Sequence, residues 1–389
     1  MTRPTVHLKP GHVRPVWAGH PWIFAQGIER VDGPADDGDE VLVLDPRQNS
    51  MGVGFYSPRS PIAVRMVSRD PRETLDAGFF EGRVARAQRL RSALGLPSDK
   101  TNGYRVVHAE GDGLPGLIVD RFGEDLVAQW LSPGLARHRA VLEAALRAVT
   151  GARRVLDRSS GAAALTEPLQ FCERGFRYEL PPSVSQKTGF YFDQRPLRER
   201  IERLATGRRV FDGHTFVGAG ALAALRGGAS EVLAVDSSAP ALEAARHAAE
   251  ANGATAITFE KGDVRKVLSR ADCSERFELV VLDPPPYAPR RGDRATALDG
   301  YIRLAELGAR ALVPGGFLVL SSCSAAIAVD ELQRALAVGC ARAGKRATVV
   351  GREFQGADHP VPAAFPEGLY LRTLIAILEH ESRLDDDPA

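Results

Sequence analysis

From residue 182 to residue 389 short apolar runs alternate with helix-period stretches, and this alternation constrains the fold more than any other feature. RRVFDGH reads as a strand and GAGALAALRGG as a helix; EVLAVDSS is the next strand and APALEAARHAAEANGA the next helix. AITFEKGD, FELVVLDPP and GFLVLSSCS are further strands, each followed by a helical stretch, and RATVVGREF and LYLRTLIAILEH end the chain as strands. Strand–helix alternation of this kind predicts an α/β fold, a mostly parallel sheet with helices on both faces. Ligands of such sheets lie beyond the carboxyl ends of the strands, near the point where strand order reverses. The residues to inspect are therefore Asp212, Asp236, Asp263, Asp283 and Cys323.

The preceding half reads differently. Residues 1–70 hold short strand-like runs such as DEVLVLDPRQNSMGVGFYSP and PIAVRMVS, which predict a small all-β module. Residues 72–180 mix helical stretches, FFEGRVARAQRLRSALG and ARHRAVLEAALRAV, with strand candidates in YRVVHAEGDGLPGLIVDRFGEDLVAQWL, an α+β connector. A chain of 389 residues exceeds one ordinary core, so two or three domains are expected. The N-terminus lacks an apolar signal core and no uncharged run reaches membrane-spanning length, so the expectation is a cytoplasmic protein with no membrane partner. Cys172, Cys273, Cys323 and Cys340 are widely spaced, which disfavours a disulfide framework or structural zinc; no metal is expected. Cys172, Cys273 and Cys340 are read as buried and inert. A formal charge of +1 argues against a strongly basic nucleic-acid binder. The average hides seven arginines between Arg65 and Arg91 and six between Arg195 and Arg209, with acidic runs such as Asp36-Asp37-Gly38-Asp39-Glu40 elsewhere. Each run alone is a solvated face; together they allow a patchwork surface that holds phosphates.

Each strand end has a bland reading and a chemical one. In FDGHTFVGAGALAAL, Gly218-x-Gly220-x-x-Ala223 brings backbone close to a ligand, and Asp236 beyond the next strand can accept hydrogen bonds from ribose hydroxyls. That pair suits a nicotinamide dinucleotide and S-adenosylmethionine equally, and a tight turn with an N-capping aspartate as well. Asp263 before a short helix is an N-cap or an acceptor for an adenine amino group. VVLDPPPYAP is more specific. Prolines 284–286 cannot continue a ladder, so the chain leaves the sheet rigidly, fixing Asp283 at the rim and presenting Tyr287 beyond it. A polar group stiffened by proline beside an aromatic ring suits a flat heterocycle. Cys323, between Ser322 and Ser324, sits where a thiol beside a polar cleft can ionise and attack.

At these residues the chain resembles the class I S-adenosylmethionine-dependent 23S rRNA cytosine-5 methyltransferases that carry an N-terminal PUA domain. AGHPWIFAQGIE is similar to the PUA opening and AEGDGLPGLIVDRFG to the family's central segment. QKTGFYFDQRPLR, LDPPPY, SSCS and ADHPVPAAFPEGLYL follow in the family's order. The resemblance implies a PUA β-barrel over 1–70, a central domain over 72–180 and a Rossmann-like methyltransferase domain over 182–389 that ends in an antiparallel strand pair. It implies that Asp236 binds the ribose and Asp263 the adenine of S-adenosylmethionine, with Asp212, Gly218 and Gly220 shaping the floor and Gln194 near the methionine end. Asp283 and Pro284 would hold the base, and Cys323 would be the nucleophile. The partner would be RNA, 23S rRNA or a large-subunit precursor, gripped by backbone and shape; a homodimer is compatible with this. The first loop departs from the family: His214 and Gly220 stand where it has aromatic residues, and Pro286 where it often has lysine. His214 is read as a satisfied polar packing residue rather than a base.

Three other readings compete. An RNA base N-methyltransferase acting on guanine or adenine would use the Asp-Pro-Pro segment and leave Cys323 idle. A nicotinamide-dependent oxidoreductase would explain the glycines but not the proline run. A non-catalytic RNA-binding assembly factor would explain the altered loop around His214.

Overall fold

The structure is a computed structural model that describes residues 3–160, 162, 165–184, 188–287, 293–324 and 326–380. Gln186 and Lys187 of the QKTGFYFDQR stretch and Ala325 after the SSCS stretch lie outside the described residues. The chain forms two compact units. The first comprises 1–175, 185–192 and 357–368, the second 176–184, 193–356 and 369–389.

The first unit carries two sheets. One has six strands, in the order Trp22–Phe24, Ile62–Ser68, Ser50–Tyr56, Glu40–Leu44, Thr5–Leu8, Ile28–Asp32. Its edge strands are joined by the turn Ala25–Gly27, four Cα steps that reach roughly 13–14 Å at most, so the sheet must curl towards closure. Register shifts in Ser50–Tyr56 and Ile62–Ser68 add the required bend. The other sheet has four strands, Gly103–His108, Leu117–Phe122, Asp125–Trp130 and Arg154–Asp157, with helices Ala77–Ala93 and Arg139–Thr150. Val53, Phe55 and Val67 of the six-stranded sheet share a core with Phe80, Tyr104, Leu117 and Leu142. Gly134 makes room for this: a Cβ there would stand 2.2 Å from the Phe55 ring.

Residues 357–368 return from late in the chain to the first unit, held by buried charge. Arg91 pairs with both carboxylate oxygens of Asp112 and donates to the Asp358 carbonyl. Arg105 pairs with Asp120, and its backbone N–H donates to Asp358. Such groups survive burial only when every charge is matched.

In the second unit seven strands form one sheet: β1 (Arg209–Gly213), β2 (Glu231–Asp236), β3 (Ile257–Lys261), β4 (Phe277–Leu282), β5 (Leu312–Ser322), β6 (Lys345–Glu353) and β7 (Arg372–His380). The order is β3-β2-β1-β4-β5-β7-β6. The pairs from β3 to β5 are parallel, whereas β7 is antiparallel to both its neighbours. The helices are α1 (Arg195–Leu204), α2 (Ala219–Arg226), α3 (Ala239–Ala251), α4 (Val264–Leu268), α5 (Arg294–Ala311) and α6 (Val329–Arg342). Alternate residues feed two cores. Val210, Val232, Ala234, Leu279 and Val281 pack with Leu197, Ile201, Ala221 and Ala224. Phe211, Leu233, Val235, Val280 and Leu282 pack with Tyr301, Leu304, Leu332 and Leu336. Both faces are therefore covered, which explains strands that read as continuous apolar runs. Strand order reverses between β1 and β4, so the Rossmann-like sheet opens its crevice there.

Candidate active site

The first loop follows β1. Asp212 is buried and accepts a hydrogen bond from Thr215 Oγ1 at 2.6 Å. It is not the N-cap of α2; that position is Gly218. Burial pushes the Asp212 carboxyl up to about 6, against the hydrogen bonds from Thr215 and the Ala221 N–H, and the charge of Asp236 adds to the rise. A Cβ on Gly220 would lie 2.9 Å from Asp212 Oδ2. A Cβ on Gly218, whose φ is +76°, would lie 3.0 Å from the Ala245 methyl. Bare backbone is thus obligatory at both positions, because the loop packs directly on Asp212 and Ala245.

Asp236 ends β2 with both oxygens oriented by backbone: Oδ2 accepts from the Phe216 N–H at 2.9 Å and Oδ1 from the Ser238 N–H at 2.8 Å. Each oxygen keeps a lone pair for a hydroxyl donor. Asp263 caps α4, accepting from the Arg265 and Lys266 N–H groups at 2.9 and 3.2 Å. The side-chain bond from Arg265, with the backbone donors, holds its carboxyl below the ordinary value.

His214 departs from expectation. It is not satisfied: Nε2 is buried with no hydrogen-bond partner. Burial lowers its pKa to about 4, although Asp236 and Asp263 pull upward, so the ring is neutral at pH 7. His214 and Phe216 both have left-handed backbone, φ 63° and 52°, in a loop that bends around Asp236. Strain of this sort in non-glycine residues concentrates at ligand sites.

At the switch point, Asp283 follows β4 half-buried, Pro284 is buried, and Pro285 and Pro286 are exposed. Gln194, at the N-cap of α1, donates from Nε2 to Asp283 Oδ2 at 2.8 Å, while its own Oε1 is buried without a partner. Tyr287 lies half-buried, with its ring centre 5.0 Å from that of Tyr301 on α5. Leu282 is in register with Leu320, so β5 runs on past β4, held there by β7: Ser322 faces Arg372, and Ser321 Oγ lies 2.7 Å from Thr373 Oγ1. Cys323 follows, partly accessible, between the buried Ser322 and Ser324.

The remaining cysteines differ among themselves. Cys273 and Cys340 are buried, and burial raises the Cys340 thiol to about 12. Cys172 is partly exposed rather than buried, because its edge position on Leu169–Glu173 turns it away from the buried Phe171 and Glu173. Among the described residues no cluster of His, Cys, Asp and Glu is arranged for a metal, and no helix is long and apolar enough to cross a membrane. Sequence reasoning missed Thr215, Gly300 and Tyr301. Thr215 meets Asp212 within the same loop, three residues away, whereas Gly300 and Tyr301 act through contacts with Tyr287 that no local motif announces.

The open turn with its glycines, the buried acid beneath it and the oriented Asp236 fit an adenosyl methyl donor. Comparison with known proteins identifies the family. A PUA-like domain model matches residues 6–69, and an S-adenosylmethionine-dependent methyltransferase model matches 124–352. The chain belongs to the S-adenosylmethionine-dependent methyltransferases, and S-adenosylmethionine is its methyl donor. Along nearly its whole length it is similar to ribosomal RNA large subunit methyltransferase I of Klebsiella pneumoniae: 34% identical over 388 residues, covering 95% of this chain and 97% of that one. Its fold matches that of a Streptococcus mutans protein assigned as a SAM-dependent methyltransferase, with a TM-score of 0.82 at 18% identity over 96% of this chain and 100% of that one. It also matches an assigned methyltransferase complexed with SAH, with a TM-score of 0.82 at 19% identity over 97% and 100% of the two chains.

Proposed function

We propose that the protein methylates carbon 5 of a cytosine in large-subunit ribosomal RNA, with Cys323 as the nucleophile. The observation that carries this reading is a partly accessible thiol at the end of β5, beside the strand whose end bears a proline-stiffened Asp283. An N-methyltransferase has no use for that thiol. The ribosomal RNA assignment of the full-length relative supports the substrate class.

Carbon 5 of cytosine is too poor a nucleophile to be methylated directly. The Cys323 thiolate adds to carbon 6, and the ring electrons pass to carbon 5 as an enamine. The bound donor supplies an electrophilic methyl group on a sulfonium. Loss of the carbon 5 proton then expels the thiolate and restores the aromatic ring. Asp283, held by Gln194, accepts a hydrogen bond from the cytosine amino group and fixes the ring against the approaching thiolate. Pro284 and Tyr287 bound the base. Asp236 and Asp263 hold the ribose and adenine of the donor over the floor made by Asp212, Gly218 and Gly220, with Gln194 towards its methionine end. The base must leave its stack, because the thiolate approaches perpendicular to the ring.

On this reading residues 1–70 grip RNA, 72–180 form a central domain and 182–389 hold the chemistry. The first 28 residues contain no Asp or Glu, but they carry Arg3, Lys9 and Arg14. Trp17 is 69% exposed, three residues after Arg14 on the helix Val13–Ala18, and therefore on the same face. An aromatic ring beside cations suits an unpaired base and its phosphate. Mass mapping of 23S rRNA from cells with and without the gene tests the reading. One cytosine should lose 14 mass units in the deletion strain, and an unchanged 23S map would refute it.

A further inference from the structure

We propose that Tyr301 is the positioning residue for Cys323. The inference rests on the reading of Cys323 as nucleophile and adds the device that aims it. Tyr301 is fully buried on α5. Its hydroxyl donates to Ser322 Oγ at 2.8 Å and lies 3.4 Å from Ser324 Oγ. The Ser324 N–H donates to the same Ser322 Oγ at 3.3 Å. One phenol thus ties down both flanks of Cys323, and of the three consecutive residues only the cysteine is partly accessible. Burial raises the Tyr301 phenol above its ordinary value, outweighing the hydrogen bonds with Ser322 and Ser324 that lower it, so it remains a protonated donor.

The preceding residue serves the other half of the site. Gly300 lies mid-helix, where glycine is less favourable than alanine. A Cβ there would stand 3.0 and 3.2 Å from Cδ2 and Cε2 of Tyr287. The helix is bare at Gly300 so that the ring ending the Asp283–Tyr287 segment can lie against it. Consecutive residues of α5 therefore set the height of Tyr287 and the anchorage of Ser322–Ser324. The Asp283 and Cys323 segments are gauged from one rigid element. A displacement of about 1 Å between reacting groups costs up to about a hundredfold in rate, which makes such a gauge worth a buried hydroxyl.

The test is Tyr301→Phe in the full chain, which keeps the ring and removes only the oxygen. Two readouts are needed: steady-state methylation of transcribed 23S rRNA, and peptide-resolved iodoacetamide alkylation of Cys323, with Cys172 as internal reference. We expect kcat to fall by about tenfold or more while the Kd for S-adenosylmethionine stays within about twofold. Cys323 alkylation should change by more than about twofold at constant Cys172 rate. Ser324→Ala, which removes the longer contact of the Tyr301 hydroxyl and leaves the shorter one, should shift both in the same direction by less. If Cys323 alkylation and kcat both remain within twofold of wild type, with only the melting temperature lowered, the hydroxyl is a packing detail and the proposal falls. Methylation retained in Cys323→Ala would overturn the nucleophile reading instead, and the alkylation comparison would still report whether Tyr301 governs the turn.

Discussion

Gln194 Nε2 stands 2.8 Å from Asp283 Oδ2, joining the N-cap of α1 to the end of β4. The bond fixes one carboxylate oxygen and with it the plane of the carboxylate that the proposed mechanism sets against the base. Removing it with Gln194→Ala should lower kcat by roughly tenfold to a hundredfold, the worth of one hydrogen bond to a charged group. Gln194→Glu should be worse, since it sets two carboxylates face to face. Single-turnover rates with saturating donor check both.

Asp212 makes stability depend on pH in a predictable direction. Its folded pKa of about 6 lies above the ordinary 3.8, so its contribution is fully present below pH 3.8 and is lost as pH rises through 6. The gap corresponds to about 3 kcal/mol. Asp212→Asn should therefore gain in melting temperature relative to wild type between pH 4 and pH 7, while binding S-adenosylmethionine more weakly. A constant offset across that range would contradict the assignment.

His108 works in the opposite sense. Burial first, then electrostatic repulsion from the side chains of His359, Arg105 and Arg91, depresses its pKa well below 6.5, and Asp358 opposes this only in part. Its neutral Nδ1 accepts from Arg105 at 2.7 Å. Stability from this group is complete above pH 6.5 and is lost as pH falls below it. His108→Gln should be less stable at pH 7.5, yet lose less on acidification to pH 5 in parallel urea melts.

Gly220→Ala should abolish tight donor binding, because the added methyl would meet Asp212 Oδ2 at 2.9 Å. Titration calorimetry should show at least about a tenfold rise in Kd, the effect of losing about 1.4 kcal/mol.

Trp17→Ala should weaken RNA binding by about 1–3 kcal/mol, as for a lost base stack, without altering donor affinity. Filter binding in parallel with calorimetry separates the two effects.

Much of this arrangement was legible because parallel strands announce themselves as apolar runs whose carboxyl ends fall on one edge of the sheet. Asp212, Asp236 and Asp283 could be placed by counting strands, and Asp263 declared itself as an N-cap. What the sequence hid was partnership. Nothing local to Gln194 says that its amide meets Asp283, 89 residues later. Nor does Gly300 read as the seat of an aromatic ring, when an isolated helical glycine is most simply a tolerated weakness. His214 was misjudged because satisfaction of a buried nitrogen depends on neighbours brought by β2 and α4. The return of Asp358 to Arg91 and Arg105 was invisible for the same reason.

The central claim is that Cys323 bonds to a pyrimidine, and a trap with 23S rRNA fragments containing 5-fluorocytosine tests it most directly. Fluorine at carbon 5 cannot leave as a proton does, so the protein–RNA adduct should accumulate in the presence of S-adenosylmethionine, survive denaturing electrophoresis and map by mass to the Cys323 peptide. It should vanish in Cys323→Ala. Methyl transfer to that RNA with no adduct, or an adduct that persists without the Cys323 sulfur, would contradict the account.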